Sequence, residues 1–121
     1  MRTILNDSEL EELLCNEWSD LMVEVPEARP LGVYFNEPAD TVRDGVWVWS
    51  DDKYHLLVVE HGDETEWSTS DLDSLSWRLF SRPIHDLAEG MDGDTAHNVV
   101  ELASIIGPAC RRSAKADEGL K

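Results

Sequence analysis

Cysteine is scarce in this chain: only Cys15 and Cys110 occur among 121 residues. Two cysteines are too few for a disulfide framework, and their spacing does not fit a C-x-x-C metal site, which excludes small disulfide-rich secreted domains and zinc ribbons. Both cysteines lie within apolar, helix-like patterns. We therefore expect two reduced thiols in the core and a cytoplasmic location.

Basic residues are scarce as well. The chain has 10 lysines and arginines against 26 aspartates and glutamates, which gives a net charge of −16. Because phosphate binding needs lysine and arginine on one face, this balance argues against nucleic acid and anionic membranes as partners. Solubility alone would account for an acidic chain, but such a field also attracts cationic proteins. We predict a basic protein partner.

Long apolar runs and catalytic motifs are also missing. No run approaches the ~18 apolar residues of a membrane span, and the start MRTIL lacks the apolar segment of a secretion signal, so we expect neither insertion nor export. The motifs G-x-S-x-G, G-x-G-x-x-G and H-E-x-x-H do not occur, and neither does a P-loop. We predict no catalytic residue, no metal and no cofactor.

The first part of the chain combines helical and strand patterns. Asn6 and Glu9 have the spacing of a capping box ahead of apolar residues three and four apart, which predicts a helix over about Asp7–Met22. After Pro30, the apolar residues 31–35 predict a strand.

A β-hairpin is the natural interpretation of residues 46–60, which are rich in valine, leucine and aromatic side chains. With residues 50–53 as the loop, Trp49 would oppose Tyr54 and Trp47 would oppose Leu56. Both faces of this hairpin would then be apolar, which predicts a sheet covered on both sides.

Helical patterns dominate the remainder. After a turn at 61–64 and a short third strand at 65–67, the spacing predicts a helix capped by Thr69 or Ser70 and ended by Pro83. Asp94 and Gly107 delimit a second helix, and residues 109–121 predict a short helix that frays into a mobile tail from about 111. The predicted fold class is α+β: one domain, 1–121, with a small antiparallel meander of three or four strands packed against about four helices.

The segment 54–80 carries a sequence motif. It reads Y-h-x-x-V-x-E-x-G followed by T-x-D-L-D-x-L-x-W-x-x-F, and it resembles the immunity protein 63 family of bacterial polymorphic toxin and contact-dependent inhibition systems. The family's usual arginine after the strand glutamate is His61 here. The resemblance implies a structural motif and a protein that binds a toxin domain and has no enzymatic activity. The matching positions are Tyr54, Glu60, Gly62, Thr69, Asp71, Leu72, Leu75, Trp77 and Phe80.

A candidate toxin-binding surface follows from the hairpins. Trp47 and Trp49 fall on one face and would serve either as core residues or as exposed aromatic anchors, whereas core packing accounts for Trp18, Trp67 and Trp77. Acids at the hairpin ends would form a rim that pairs with lysine and arginine. The candidate binding residues are Trp47, Trp49, Asp51, Asp52, Asp63, Glu64 and Glu66.

Three functions compete at this stage. The leading one is an immunity protein that neutralises a basic toxin domain, for which a nuclease is one candidate, by stoichiometric occlusion. The alternative is an acidic DNA mimic or anti-restriction inhibitor. A small metal-dependent enzyme that uses His55 and His61 with Glu60 and Asp63 is a third, although this spacing matches no established ligand motif.

Overall fold

The computed structural model describes residues 4–38 and 43–119. In this part of the chain, three strands form one antiparallel sheet in the order β1-β2-β3, accompanied by four helices. The α+β prediction is therefore confirmed. The elements are α1 (Asp7–Glu24), β1 (Gly45–Ser50), β2 (Tyr54–Glu60), β3 (Asp63–Thr69), α2 (Leu72–Glu89), α3 (Thr95–Ile106) and α4 (Pro108–Gly119).

The described residues form two compact units, and the chain passes between them after Cys15, Pro30 and Leu75. The first unit contains the sheet and the starts of α1 and α2. The second contains the remainder of these two helices together with α3 and α4. None of the described helices is long and apolar enough to cross a membrane.

The carboxy-terminal stretch is helical up to Gly119. Cys110 and Ala114 of α4 are buried, and residues 120–121 lie outside the described residues. The single-domain organisation and the mobile tail from about 111 stay predictions. Neither cysteine forms a disulfide within the described residues. Cys110 belongs to the core as expected, whereas Cys15 is half-buried, and burial followed by the charge of Glu11 raises the pKa of its thiol.

Helix α1 begins with the predicted capping box. The Glu9 amide donates to Asn6 Oδ1 at 2.9 Å, and the Asn6 amide donates to Glu9 Oε1 at 3.1 Å. Both bonds satisfy amides that have no partner inside the helix. The helix runs two residues beyond the predicted end at Met22, and its apolar stripe is buried at Leu10, Leu14, Trp18 and Leu21.

The strand predicted over 31–35 is reduced to a single bridge. The Tyr34 amide donates to the Val46 carbonyl at 2.9 Å, and the Val48 amide donates to the Tyr34 carbonyl at 2.8 Å. The preceding Pro30 has no amide to donate, and Gly32 has no side chain to pack. The prediction of a five-residue strand is therefore wrong, because the start of the segment offers little to a sheet.

The register of the first hairpin differs from the predicted one. Trp49 pairs with His55, and Ser50 pairs with Tyr54, so the loop contains only residues 51–53. This tighter loop is closed by Asp51, whose amide donates to the Lys53 carbonyl at 2.9 Å and whose Oδ1 accepts the Lys53 amide at 3.1 Å. A shift of one residue moves every side chain of β2 to the opposite face.

Both faces of the sheet nevertheless bury apolar side chains, as predicted. One face carries the buried cluster Trp47, Trp49, Leu57 and Val59. On the other face, Val48, Tyr54 and Leu56 are buried.

The second hairpin has a two-residue turn where four residues were predicted. His61 and Gly62 adopt φ values of 52° and 84°, which a tight turn between twisted strands requires and which favour glycine at the second position. Their amides donate to the carboxylate of Asp44 at 3.1 and 3.4 Å. The shorter turn lengthens the third strand from the predicted 65–67 to Asp63–Thr69.

Helix α2 corrects two predictions. Its N-cap is Asp71, which follows both predicted caps: the Asp71 carbonyl accepts the Leu75 amide at 3.1 Å, and Ser74 Oγ donates to Asp71 Oδ2 at 2.6 Å. Pro83 lies inside the helix and does not end it. An internal proline costs about 3 kcal/mol, but each buried large apolar side chain returns about 1.5–3 kcal/mol, and Phe80 and Ile84 flank it fully buried.

The last predicted boundaries are confirmed. Asp94 precedes α3 and Gly107 follows it, although the Asp94 side chain forms no capping bond. The inward side of α3 is buried at Asn98, Val99, Leu102, Ala103 and Ile106.

Candidate functional site

The predicted rim of acids is divided between two ends of the sheet. Asp51 and Asp52 lie in the β1–β2 loop, whereas Asp63 and Glu64 begin β3 after the β2–β3 turn. Consecutive connections of a meander lie at opposite ends of the sheet, and β2 has seven residues, so the two pairs are about 20 Å apart. The two pairs therefore lie apart, and the toxin-binding role of these acids stays a prediction.

Strand β3 forms an acidic edge, which we define as Asp63, Glu64 and Glu66. β3 is the last strand of the sheet, and its first four residues are all exposed. Glu64 pairs with Val59, and Glu66 pairs with Leu57, so both glutamates border the face that buries the tryptophan cluster.

Trp47 and Trp49 are core residues and not exposed anchors. They are 6% and 9% exposed, because Tyr34 stacks on Trp47 at 5.2 Å and His55 stacks on Trp49 at 5.1 Å between ring centroids. The exposed aromatic ring here is that of Tyr34, which is 43% exposed and lies 5.7 Å beneath the guanidinium of Arg43. Trp18 is buried as predicted, and Trp67 and Trp77 are half-buried.

His55 organises the β1–β2 loop. Its Nε2 lies 2.8 Å from Asp51 Oδ1, and its Nδ1 lies 3.9 Å from Glu66 Oε1. Nδ1 is buried and has no hydrogen-bond partner among the described residues. The bond from His55, followed by that from the Lys53 amide, holds the pKa of Asp51 well below its usual range. Asp51 thus has a structural role in the loop, in addition to being exposed.

Removing the imidazole should therefore release Asp51. In His55→Phe, which keeps a ring against Trp49, the pKa of Asp51 should rise toward its ordinary value of about 4. A depressed carboxyl pKa stabilises the fold above that value, and the stability is lost as the pH falls below it, so the variant should lose less stability on acidification. Carbon-13 NMR titration of the Asp51 carboxyl measures the shift.

His97→Phe is the matched control for this titration, since His97 is exposed and pairs with Glu101 on α3 at 3.1 Å. It should leave the Asp51 titration unchanged. An Asp51 curve that is the same in His55→Phe and the parent would show that the hydrogen bond does not form in solution.

The remaining polar contacts offer little chemistry. His61 and His55 lie at opposite ends of β2, so they cannot share a metal. The group that converges is Asp51, Asp52 and His55, whose ligand atoms lie within 4.8 Å of one another.

His85 and Ser81 form a second polar pair, on α2. His85 Nδ1 is 3.5 Å from Ser81 Oγ but only 2.7 Å from the Ser81 carbonyl oxygen. Nδ1 therefore carries the proton and cannot act as a base toward that hydroxyl.

No family model, curated protein or solved structure matches this chain. The resemblance of residues 54–80 to the immunity protein 63 family stays a prediction.

The motif residues divide by burial. Tyr54, Leu75 and Phe80 are buried, and the Tyr54 hydroxyl accepts the Leu5 amide at 3.0 Å. Four others are half-buried, and the remaining two, in and beside the β2–β3 turn, are exposed. These six are Thr69, Asp71, Leu72, Trp77, Glu60 and Gly62.

Two carboxylates hold parts of the sheet in place through contacts that were not predicted from the sequence. Asp44 binds the amides of the β2–β3 turn from 17 and 18 positions away. Asp7 accepts the Ser50 amide at 2.8 Å across 43 positions, and Ser50 Oγ donates to the Leu5 carbonyl at 2.6 Å. No local pattern signals contacts between residues so far apart.

Proposed function

We propose that this protein is an immunity protein that binds a cognate toxin domain and neutralises it by stoichiometric occlusion, without catalysis. The observation that carries the proposal is the exposure of the acidic edge on the outer strand of the sheet, in a chain with a net charge of −16. Exposed carboxylates at the border of an interface steer a basic partner into place.

The geometry supports a binding role in two further ways. β3 pairs with β2 on one side, and no other strand of the described sheet pairs with its second side. A strand of the partner could add there through backbone hydrogen bonds while its lysines and arginines pair with the acidic edge. Electrostatic steering of this kind raises association rates by about 10- to 10³-fold at low salt.

The resemblance of residues 54–80 supports a toxin as the partner class and the cytoplasm as the site of action, because an immunity protein protects the cell that makes the toxin. The acidic surface favours a basic toxin. A nuclease is one such class, since its substrate cleft must attract phosphate.

The purified protein should form a 1:1 complex with a basic toxin domain encoded next to its gene. The dissociation constant should be nanomolar or lower, about −12 kcal/mol or better, because free toxin would damage its producer. Size-exclusion chromatography establishes the stoichiometry, and calorimetry measures the affinity.

A neighbouring toxin domain with neutral or acidic charge is the control, and it should not bind. The absence of a complex with every basic candidate in the neighbourhood would contradict the proposal. Binding to a DNA-binding protein in competition with duplex DNA, together with that absence, would favour the DNA-mimic alternative.

A further inference from the structure

A groove of about 610 Å³ lies in the second unit between the end of α1 and the end of α2. Its apolar lining includes Val25, Leu87 and Met91, and Met91 is 41% exposed. Val25 and Leu87 are half-buried. Apolar side chains that stay wholly or partly accessible in one groove are typical of a docking site.

Four carboxylates surround this apolar floor, those of Glu24, Glu27, Asp86 and Asp92. Over residues 4–38 and 43–119, none of the four forms an ion pair. Glu24 and Asp86 lie in the last turns of α1 and α2, where the helix carbonyls already carry partial negative charge, and neither last turn contains a basic residue.

Carboxylates at the carboxy-terminal ends of helices reduce stability. Here two helices bring such carboxylates to the same groove. Sequences that oppose a local stability rule in this way do so mainly at functional sites.

The groove is also held in shape by hydrogen bonds. The buried Asn98 donates through Nδ2 to the Asp92 carbonyl at 3.2 Å, which fixes the loop after α2. The amides of Gly90 and Met91 donate to carbonyls of the last turn of α2, each at 3.2 Å. A preformed site loses little conformational entropy on binding.

The arrangement suits a cationic side chain with an apolar stem better than a metal ion. A metal needs ligand atoms that converge, and among the described residues the converging group lies at Asp51, Asp52 and His55, away from the groove. Arginine and lysine place their methylene groups on apolar surface and direct the charge outward.

We propose that this groove docks a basic segment of a partner protein, with an arginine or lysine stem against Leu87 and Met91 and its charge between Glu24 and Asp86. The inference deepens the proposed function and rests on it for the identity of the partner, which would then be the toxin. The acidic edge would steer the toxin, and the groove would hold one of its basic segments.

The test uses the full chain and a short peptide of alternating arginine and leucine, followed by amide NMR. Peptide binding should shift the amides of Leu87, Gly90 and Met91. The triple variant Glu24→Gln, Asp86→Asn and Asp92→Asn should weaken binding about tenfold, because each exposed ion pair contributes a factor of about two to three.

The matched control changes the same charge elsewhere, through Glu11→Gln, Glu12→Gln and Asp20→Asn, three exposed acids outside the groove and the acidic edge. It should weaken binding less than about twofold. Equal losses in both variants, or shifts confined to the sheet, would overturn the inference because they indicate diffuse attraction. The single variant Met91→Ser should also weaken peptide binding. An unchanged affinity in this variant would exclude the apolar contact.

Stability provides a second readout. The groove variant should melt at or above the temperature of the parent, because it removes unfavourable charge from two helix ends. A lower melting temperature would show that the acids are structural.

Toxin binding separates the groove inference from the immunity function. If the toxin binds the groove variant as tightly as the parent, the groove inference fails and the immunity function stands. If the peptide binds the groove but no toxin binds the protein, the groove stands as a docking site and the proposed immunity function fails.

Discussion

Replacing Phe80 with alanine should lower the free energy of unfolding by about 3–5 kcal/mol. Phe80 is 0% exposed, and its ring stacks on that of Trp18 with centroids 5.5 Å apart and planes inclined by 18°. Truncation removes the buried ring and the stacking contact and leaves a cavity that the surrounding helices cannot fully close. Urea unfolding followed by tryptophan fluorescence measures the loss.

Two variants calibrate this result. Trp77→Ala removes a larger but half-buried ring from the same helix, so its cost should be smaller. Val23→Ala, at a side chain that is 80% exposed, should stay within about 0.5 kcal/mol of the parent. A Phe80→Ala protein that melts like the parent but no longer binds toxin would contradict the core assignment and make Phe80 a contact residue.

Reversing the acidic edge should have the largest effect on binding. The triple variant Asp63→Lys, Glu64→Lys and Glu66→Lys should slow association with a basic toxin domain by about tenfold or more at low salt, because exposed charges act mainly on the encounter rate. Stopped-flow association at two salt concentrations measures the effect. The salt dependence should flatten in the variant.

The control reverses Glu11, Glu12 and Asp20, which are exposed on α1 and produce the same change in net charge. Both variants should unfold within about 1 kcal/mol of the parent, since surface charges contribute little to stability. Equal slowing in both variants would assign the steering to net charge alone, and an unchanged rate in the edge variant would place the docking surface elsewhere. Asp51 is left intact because it closes the β1–β2 loop.

Several parts of the fold were predictable because their signals are local. The capping box that begins α1 joins residues three apart, and α3 ends at the predicted glycine, so both helices follow from neighbouring residues. Alternation of apolar residues identified β1 and β2. The α+β class depends only on features of this kind.

Other features depended on partners distant in sequence. The register of the first hairpin depends on hydrogen bonds at Asp51. When the register is unknown, the alternation of apolar residues does not determine which side chains of β1 and β2 share a face. Pro83 stays inside α2 because buried neighbours on both sides outweigh the missing hydrogen bond.

The sequence by itself therefore determined the fold class, most of the helices and strands, and the acidic character of the surface, because propensity, capping and charge are properties of neighbouring residues or of the whole composition. Only the tertiary structure buried Trp47 beneath Tyr34, separated the two acid pairs by the length of β2, and gathered Glu24 and Asp86 around one groove. Each of these arrangements involves residues that are distant in sequence, so no local interaction determines it. The energy that selects one arrangement over its alternatives comes from packing across the folded chain.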